Sequence, residues 1–215
     1  MQPYTLVTNI CDFNDNNKGN KPLYLKKLLI MYELFDNEGK KIEHHDLQDK
    51  SHWCKDGEKI EEAFVRLYGE QLNLAINPAK GYDPFAPDLI NTLTGRLGDL
   101  KHQATPFFKA RKLFGIDPTY AVVFNEKDKL RYEEKYPEIT IYYWVNWLAV
   151  KYRTEWSEIT VRPLQGVWKS EFRDFNKYLS TRLLHYYQQR TDDTKGNAKG
   201  SFVCDIRNEA FEKLI

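Results

Sequence analysis

Asp88 and Asp99 have ten residues between them, and Lys101 follows two places after the second. A Gly-bearing turn, Thr92-Leu93-Thr94-Gly95, lies midway. Two carboxylates on one face repel unless something positive sits between them. A hard cation removes that repulsion, and Mg²⁺ typically binds one or two carboxylates together with substrate phosphate oxygens. A lysine on the same face could orient or deprotonate a water, or neutralise charge on a phosphoryl group. The chemistry implied is metal-assisted attack on a phosphodiester.

Such chemistry requires a hairpin. Residues 85–90 and 96–103 are short strand-like runs, and the turn between them can close with Gly95 at any positive φ. In that register paired residue numbers sum to 187, so Asp88 falls opposite Asp99. Opposed residues share a face, with Cβ atoms roughly 4.5–5.5 Å apart. Strand alternation adds Lys101 and Gln103 to the Asp99 face. A three-residue turn would shift the register by one and undo the pairing. Asp-Leu-Lys by itself is common on surface strands, so the pairing carries the argument.

A helix is expected before the hairpin, over residues 58–74, with Gly69 weakening its middle. Ile60, Phe64, Val65, Leu67, Tyr68 and Leu72 fill one arc, and Glu61 falls inside it. Glu61 either reaches water at the arc's edge or serves as a third acidic ligand, since a lone buried carboxylate is costly.

A helix with an inward Glu, a strand, a Pro-Asp strand, an Asp-x-Lys strand, a helix and a strand resemble the PD-(D/E)xK nuclease superfamily. That is the fold of type II restriction endonucleases and archaeal Holliday-junction resolvases. The match covers roughly residues 57–145. The resemblance implies a mixed α/β (α+β) fold with a restriction-endonuclease-like core, a mixed β-sheet flanked by helices in the order α-β-β-β-α-β. It implies Asp88, Asp99 and Glu61 as metal ligands and Lys101 as the catalytic lysine, with Gln103 in a supporting place. The implied activity is Mg²⁺-dependent DNA cleavage, with Mn²⁺ able to substitute, no organic cofactor, and a homodimer where both strands are cut. A structure-selective recombination or repair nuclease would use the same residues. A DNA-binding or scaffold protein on an inactive version of the fold is the reading of another class.

Three parts are expected: an N-terminal extension with a hairpin (1–56), the nuclease core (57–147), and a C-terminal extension packed on the core (148–215). The first hairpin should turn around Asp36-Asn37-Glu38-Gly39. After the Asp-x-Lys strand, Thr105-Pro106 reads as a helix start and Gly115 as its stop. Lys109, Arg111 and Lys112 on that helix could meet phosphates, although a solvated face is the commoner meaning. Residues 120–124, a helix through Lys135, and residues 139–144 read as a parallel strand–helix–strand unit. A long helix is expected over residues 170–189, striped by Phe172, Phe175, Leu179, Leu183 and Tyr186. The polar loop 190–199 offers Lys195 and Lys199 to a DNA backbone, and residues 201–206 read as a strand.

The 215 residues carry a net charge of +1, so no global basic signature marks a nucleic-acid binder. A local basic cleft remains compatible with that balance. No run is long enough to span a membrane, and the N-terminus lacks a secretory pattern. Cys11, Cys54 and Cys204 imply no disulfide framework, which suits a reducing cytoplasm. His44, His45, His52 and Cys54 cluster in sequence, but their spacing matches no common zinc site.

Overall fold

The computed structural model describes residues 32–43, 59–186 and 200–215. In chain order its elements begin with β1 (Glu33–Phe35), β2 (Lys41–Ile42), α1 (Ile60–Leu72), β3 (Leu74–Ile76), β4 (Leu89–Asn91) and β5 (Leu97–Gln103). They continue with α2 (Ala110–Phe114), β6 (Ala121–Asn125), α3 (Glu126–Lys135), β7 (Thr140–Asn146), β8 (Lys151–Arg153) and β9 (Glu158–Thr160). Last come β10 (Gln165–Glu171), α4 (Phe172–Leu179), β11 (Leu184–Tyr186), β12 (Gly200–Asp205) and β13 (Glu212–Lys213). The fold is mixed α/β.

Its centre is a six-stranded sheet in the order β13-β10-β7-β5-β4-β3. β3, β4 and β5 form an antiparallel meander, β7 lies parallel to β5, and β10 and β13 add antiparallel strands. Alternation along β5 and β7 splits the core in two. Leu100, Tyr142 and Trp144 meet Ala63 and Phe64 of α1 on one face. Ile141, Tyr143 and Val145 meet Tyr132 of α3 and Phe172, Phe175 and Leu179 of α4 on the other. The sheet is therefore flanked by helices.

α1 ends where Asn73 adopts a left-handed conformation, φ 55, and the chain turns directly into β3. Gly69 permits that close return. A Cβ there would lie 2.7 Å from the Leu74 carbonyl oxygen and 2.9 Å from Val65 Cγ1. Alanine normally stabilises a helix over glycine by about 1 kcal/mol. Here Gly69→Ala is expected to destabilise the fold by about 1–3 kcal/mol through overpacking. Urea unfolding checks this, and a raised midpoint would refute it.

Several expectations need correction. The parallel partner of β7 is β5, not residues 120–124. β6 instead pairs antiparallel with β12 in a separate three-stranded sheet, β11-β12-β6. The helix expected from Thr105 starts only at Ala110. Phe107 and Phe108, adjacent in sequence, enter two different core clusters, and an irregular turn allows that. Of the helix expected over 170–189, the described residues form only α4, and 187–189 lie outside them. Ser170 and Glu171 belong to β10 and pair with β7. Past Leu179, the Ser180 hydroxyl donates to the Asn176 carbonyl and the Thr181 hydroxyl to the Tyr178 carbonyl. Those bonds take the last carbonyls of the helix, and the chain leaves for β11. Leu183 and Tyr186 are exposed. Leu67, expected inside the apolar arc of α1, is also exposed.

The C-terminal third contributes strands to the central sheet, which β10 and β13 complete. β1 pairs with β2 around the expected turn, but it also pairs with β8 in a four-stranded sheet, β2-β1-β8-β9. Among the described residues no helix is long and apolar enough to cross a membrane.

Candidate active site

The β4–β5 hairpin positions the acidic pair. Asn91 begins its turn, accepting from the backbone N–H of Leu93 and Thr94 through Oδ1. Gly95 sits at φ +72 and donates to the Asn91 carbonyl. The four-residue turn gives Leu89 opposite Gly98 and Ile90 opposite Leu97, pairs whose numbers sum to 187. β4 starts one residue after Asp88, so the expected strand from residue 85 is shorter. Extended by one position, the observed register sets Asp88 across from Asp99. Asp88 Oδ2 accepts from the Leu100 N–H at 3.1 Å, which fixes its carboxylate against β5.

Asp99 is only 3% exposed and is the most buried acid of the group. Lys101 Nζ lies 2.7 Å from its Oδ2, yet that oxygen makes no hydrogen bond because the ammonium approaches off-angle. Burial pushes the Asp99 carboxyl above its ordinary range against the pull of Lys101, and Asp88 adds to the rise. Lys101 Nζ also stands 2.6 Å from Asp128 Oδ2 on α3. Burial works against the charged ammonium, but Asp99 and Asp128 outweigh it and raise its pKa. Arg131 closes the network, 3.3 Å from Asp128 and 3.6 Å from Asp99. Its guanidinium donates to the Tyr132 hydroxyl at 2.6 Å. Tyr132 is held strongly in its neutral form, first by burial and then by the nearby Asp99 and Asp128 charges.

A second cation meets the other carboxylate. Lys80, in the short 3₁₀ turn Pro78–Gly81 between β3 and β4, donates to Asp88 Oδ1 at 2.7 Å. Burial acts to lower the Lys80 pKa, but Asp88 overcomes it, and Glu61 and Asp99 add to the net rise. Glu61 is thus close enough for Lys80 to sense its charge. It comes from α1, however, which covers the sheet face opposite to the one Asp99 shares with Ile141. Among the described residues, no three His, Cys, Asp or Glu side chains stand close enough to hold a metal ion together.

The acidic pair still fits a divalent cation. Asp99 Oδ2 is buried without a hydrogen bond, and an ammonium group stands at each carboxylate, Lys101 at Asp99 and Lys80 at Asp88, where positive charge is needed. Two carboxylates plus water and phosphate oxygens suffice for Mg²⁺. Lys80 would have to release Asp88 Oδ1 for such an ion to bind. Lys80→Met is therefore expected to tighten Mn²⁺ or Mg²⁺ binding severalfold in calorimetric titration. Unchanged or weaker binding would show that Lys80 does not compete for Asp88.

Not every expected residue joins the site. Gln103 is buried and bonds both backbone groups of Val123, at 2.7 and 3.2 Å, so it stitches β5 to β6. Lys109, Arg111 and Lys112 come at α2, after the end of β5, rather than on the strand that carries Asp99 and Lys101. Lys109 Nζ sits over the Tyr152 ring, and Arg111 pairs with Asp117. Lys195, Lys199, Cys11, Cys54, His44, His45 and His52 fall outside the described residues.

Lys80, Asp128, Arg131 and Tyr132 were not among the expected site residues. Helical spacing carried a signal for three of them. Residues 128, 131 and 132 share one face of α3, and Tyr132 is the buried residue of that helix. A polar pair beside the one inward ring indicates a polar partner across the interface, here Lys101 and Asp99. Lys80 had only its place in a Pro- and Gly-bearing turn. No protein-family model, curated protein or solved structure matches the chain.

Proposed function

We propose that this protein is a Mg²⁺-dependent DNA endonuclease with a restriction-endonuclease-like core of the PD-(D/E)xK type. The observation that carries the reading is the β4–β5 hairpin, which brings Asp88, just before β4, to the Leu100 N–H of β5, with Lys101 2.7 Å from Asp99 on that same strand. The order α1-β3-β4-β5, then a crossover through α3 to β7 parallel to β5, supports it further.

Asp88 and Asp99 would hold the cation, and Glu61, from the other layer, would act through water. When bound, Mg²⁺ would neutralise charge at the scissile phosphate and make a nearby water more acidic. The raised pKa of Lys101 keeps it an ammonium ion at neutral pH. As an ammonium it would neutralise charge at the phosphoryl group. Asp128 and Arg131 position it. A homodimer would supply a second site for cutting the opposite strand, and Mn²⁺ would substitute for Mg²⁺.

Supercoiled plasmid incubated with millimolar Mg²⁺ tests the reading. Nicked and linear products that vanish with EDTA are expected. Discrete fragments would define a sequence-specific enzyme. No cleavage of plasmid, branched or single-stranded DNA in Mg²⁺ or Mn²⁺ would overturn the nuclease reading and leave a DNA-binding or scaffold role.

A further inference from the structure

The loop between β3 and β4 joins the site at both ends, through Lys80 near its start and Asp88 at its close. It is well ordered by its own bonds. Asn77 spans its base, donating from Nδ2 to the Pro87 carbonyl at 2.9 Å and from its backbone to the Asp88 carbonyl at 3.0 Å. The Asp83 N–H donates to the Ala79 carbonyl at 2.8 Å, and Asp83 Oδ1 accepts from the Phe85 N–H at 2.8 Å. Despite this order, the loop presents two aromatic rings to water. Tyr82 is 84% exposed and Phe85 is 69% exposed.

Single exposed apolar residues are ordinary, but two aromatics on one ordered loop beside the site call for a partner. Tyr82 lies two residues from Lys80, at most about 7 Å along the chain. A cation that can meet a phosphate and rings that can meet bases together make a combination that holds single-stranded nucleic acid. A duplex hides the faces of its bases, and prising a step open costs a few kcal/mol. An unpaired strand offers those faces freely.

We propose that Tyr82 and Phe85 stack on unpaired nucleobases next to a phosphate bound through the cation at Asp88 and Asp99, so that the preferred substrate is DNA with unpaired nucleotides beside the cut. The strand's path rests on the nuclease reading; the stacking contact can be measured without it.

The test is fluorescence anisotropy with labelled oligonucleotides, one a full duplex and one carrying a short unpaired gap, with Ca²⁺ replacing Mg²⁺. Wild-type protein is expected to favour the gapped DNA. Tyr82→Ala and Phe85→Ala should each weaken gapped binding by about 5- to 100-fold, the fold-change that corresponds to loss of one stacked base. Duplex binding should change less than about twofold, and Tyr82→Phe should retain wild-type affinity. Equal loss on both DNAs, no loss on the gapped DNA, or a wild-type preference for duplex would overturn the inference. Plasmid cleavage by variants that bind gapped DNA normally would remove this inference alone. Ring-dependent binding with no cleavage under any condition would remove the nuclease reading alone.

Discussion

Asp99→Asn is expected to cut the rate of Mg²⁺-dependent plasmid cleavage by about a thousandfold, the scale seen when one preorganised electrostatic group is lost. The substitution keeps the shape of the side chain and removes its charge. Asp99 has two tasks, and both depend on that charge. In the proposed function it would hold the cation, and its buried Oδ2 stands 2.7 Å from Lys101. Asp88→Asn should be nearly as damaging, because Asp88 is the opposing ligand. Initial rates on agarose gels, with circular dichroism to confirm folding, provide the measurement. A folded Asp99→Asn protein that cleaves at the wild-type rate would sink the proposed site.

Lys101→Ala is expected to lower stability by about 3–5 kcal/mol, the usual cost of leaving buried charges without their partner. Lys101 stands between two carboxylates, Asp99 and Asp128, at 2.7 and 2.6 Å. Its ammonium also lies 5.7 Å from the ring centres of Phe124 and Tyr132. Arg131 would still face both acids, but at longer range. Urea unfolding at neutral pH reads the change, and a loss below about 1 kcal/mol would mean that Arg131 alone balances the two acids. The pH dependence has a definite sign. A lysine whose pKa is raised on folding stabilises fully below its ordinary value of 10.5. That contribution is lost as pH rises through the folded value. The difference between wild type and Lys101→Ala should therefore hold steady across neutral pH and shrink only in strong alkali. Cleavage loss in Lys101→Ala is interpretable only beside this stability measurement, which makes Asp99→Asn the cleaner test of catalysis.

How much of this was legible beforehand depends on how far each interaction reaches along the chain. The β4–β5 register could be read because a four-residue turn with Gly95 leaves one pairing, and strand alternation then places Asp99 and Lys101 together. α1 could be read from local periodicity and α3 from a charged run up to Lys135, and α3 occupies nearly the expected span. Where two local tendencies competed, local reading failed. The stripe of Phe172, Phe175 and Leu179 is a true helix face, yet its neighbours Ser170 and Glu171 were claimed by pairing with β7, thirty residues away. β6 looked like the partner of β7, but β12 won it from about eighty residues downstream.

The same division runs through the site. Sequence by itself determined the β4–β5 register and the lysine beside Asp99, because they belong to one hairpin whose geometry is short-range. Only the tertiary structure decided what surrounds them. Lys80 arrives from a loop that folds back over Asp88, and Asp128 and Arg131 arrive from a helix laid across the sheet. Glu61 was expected to join the acids, but its helix packs on the sheet face opposite to the one that carries Asp99. Gln103 shares the right face and still does other work, because β6 passes within hydrogen-bond reach of it. Periodicity says which way a side chain points. What it meets there is set by segments distant in sequence, whose burial energies no local pattern records.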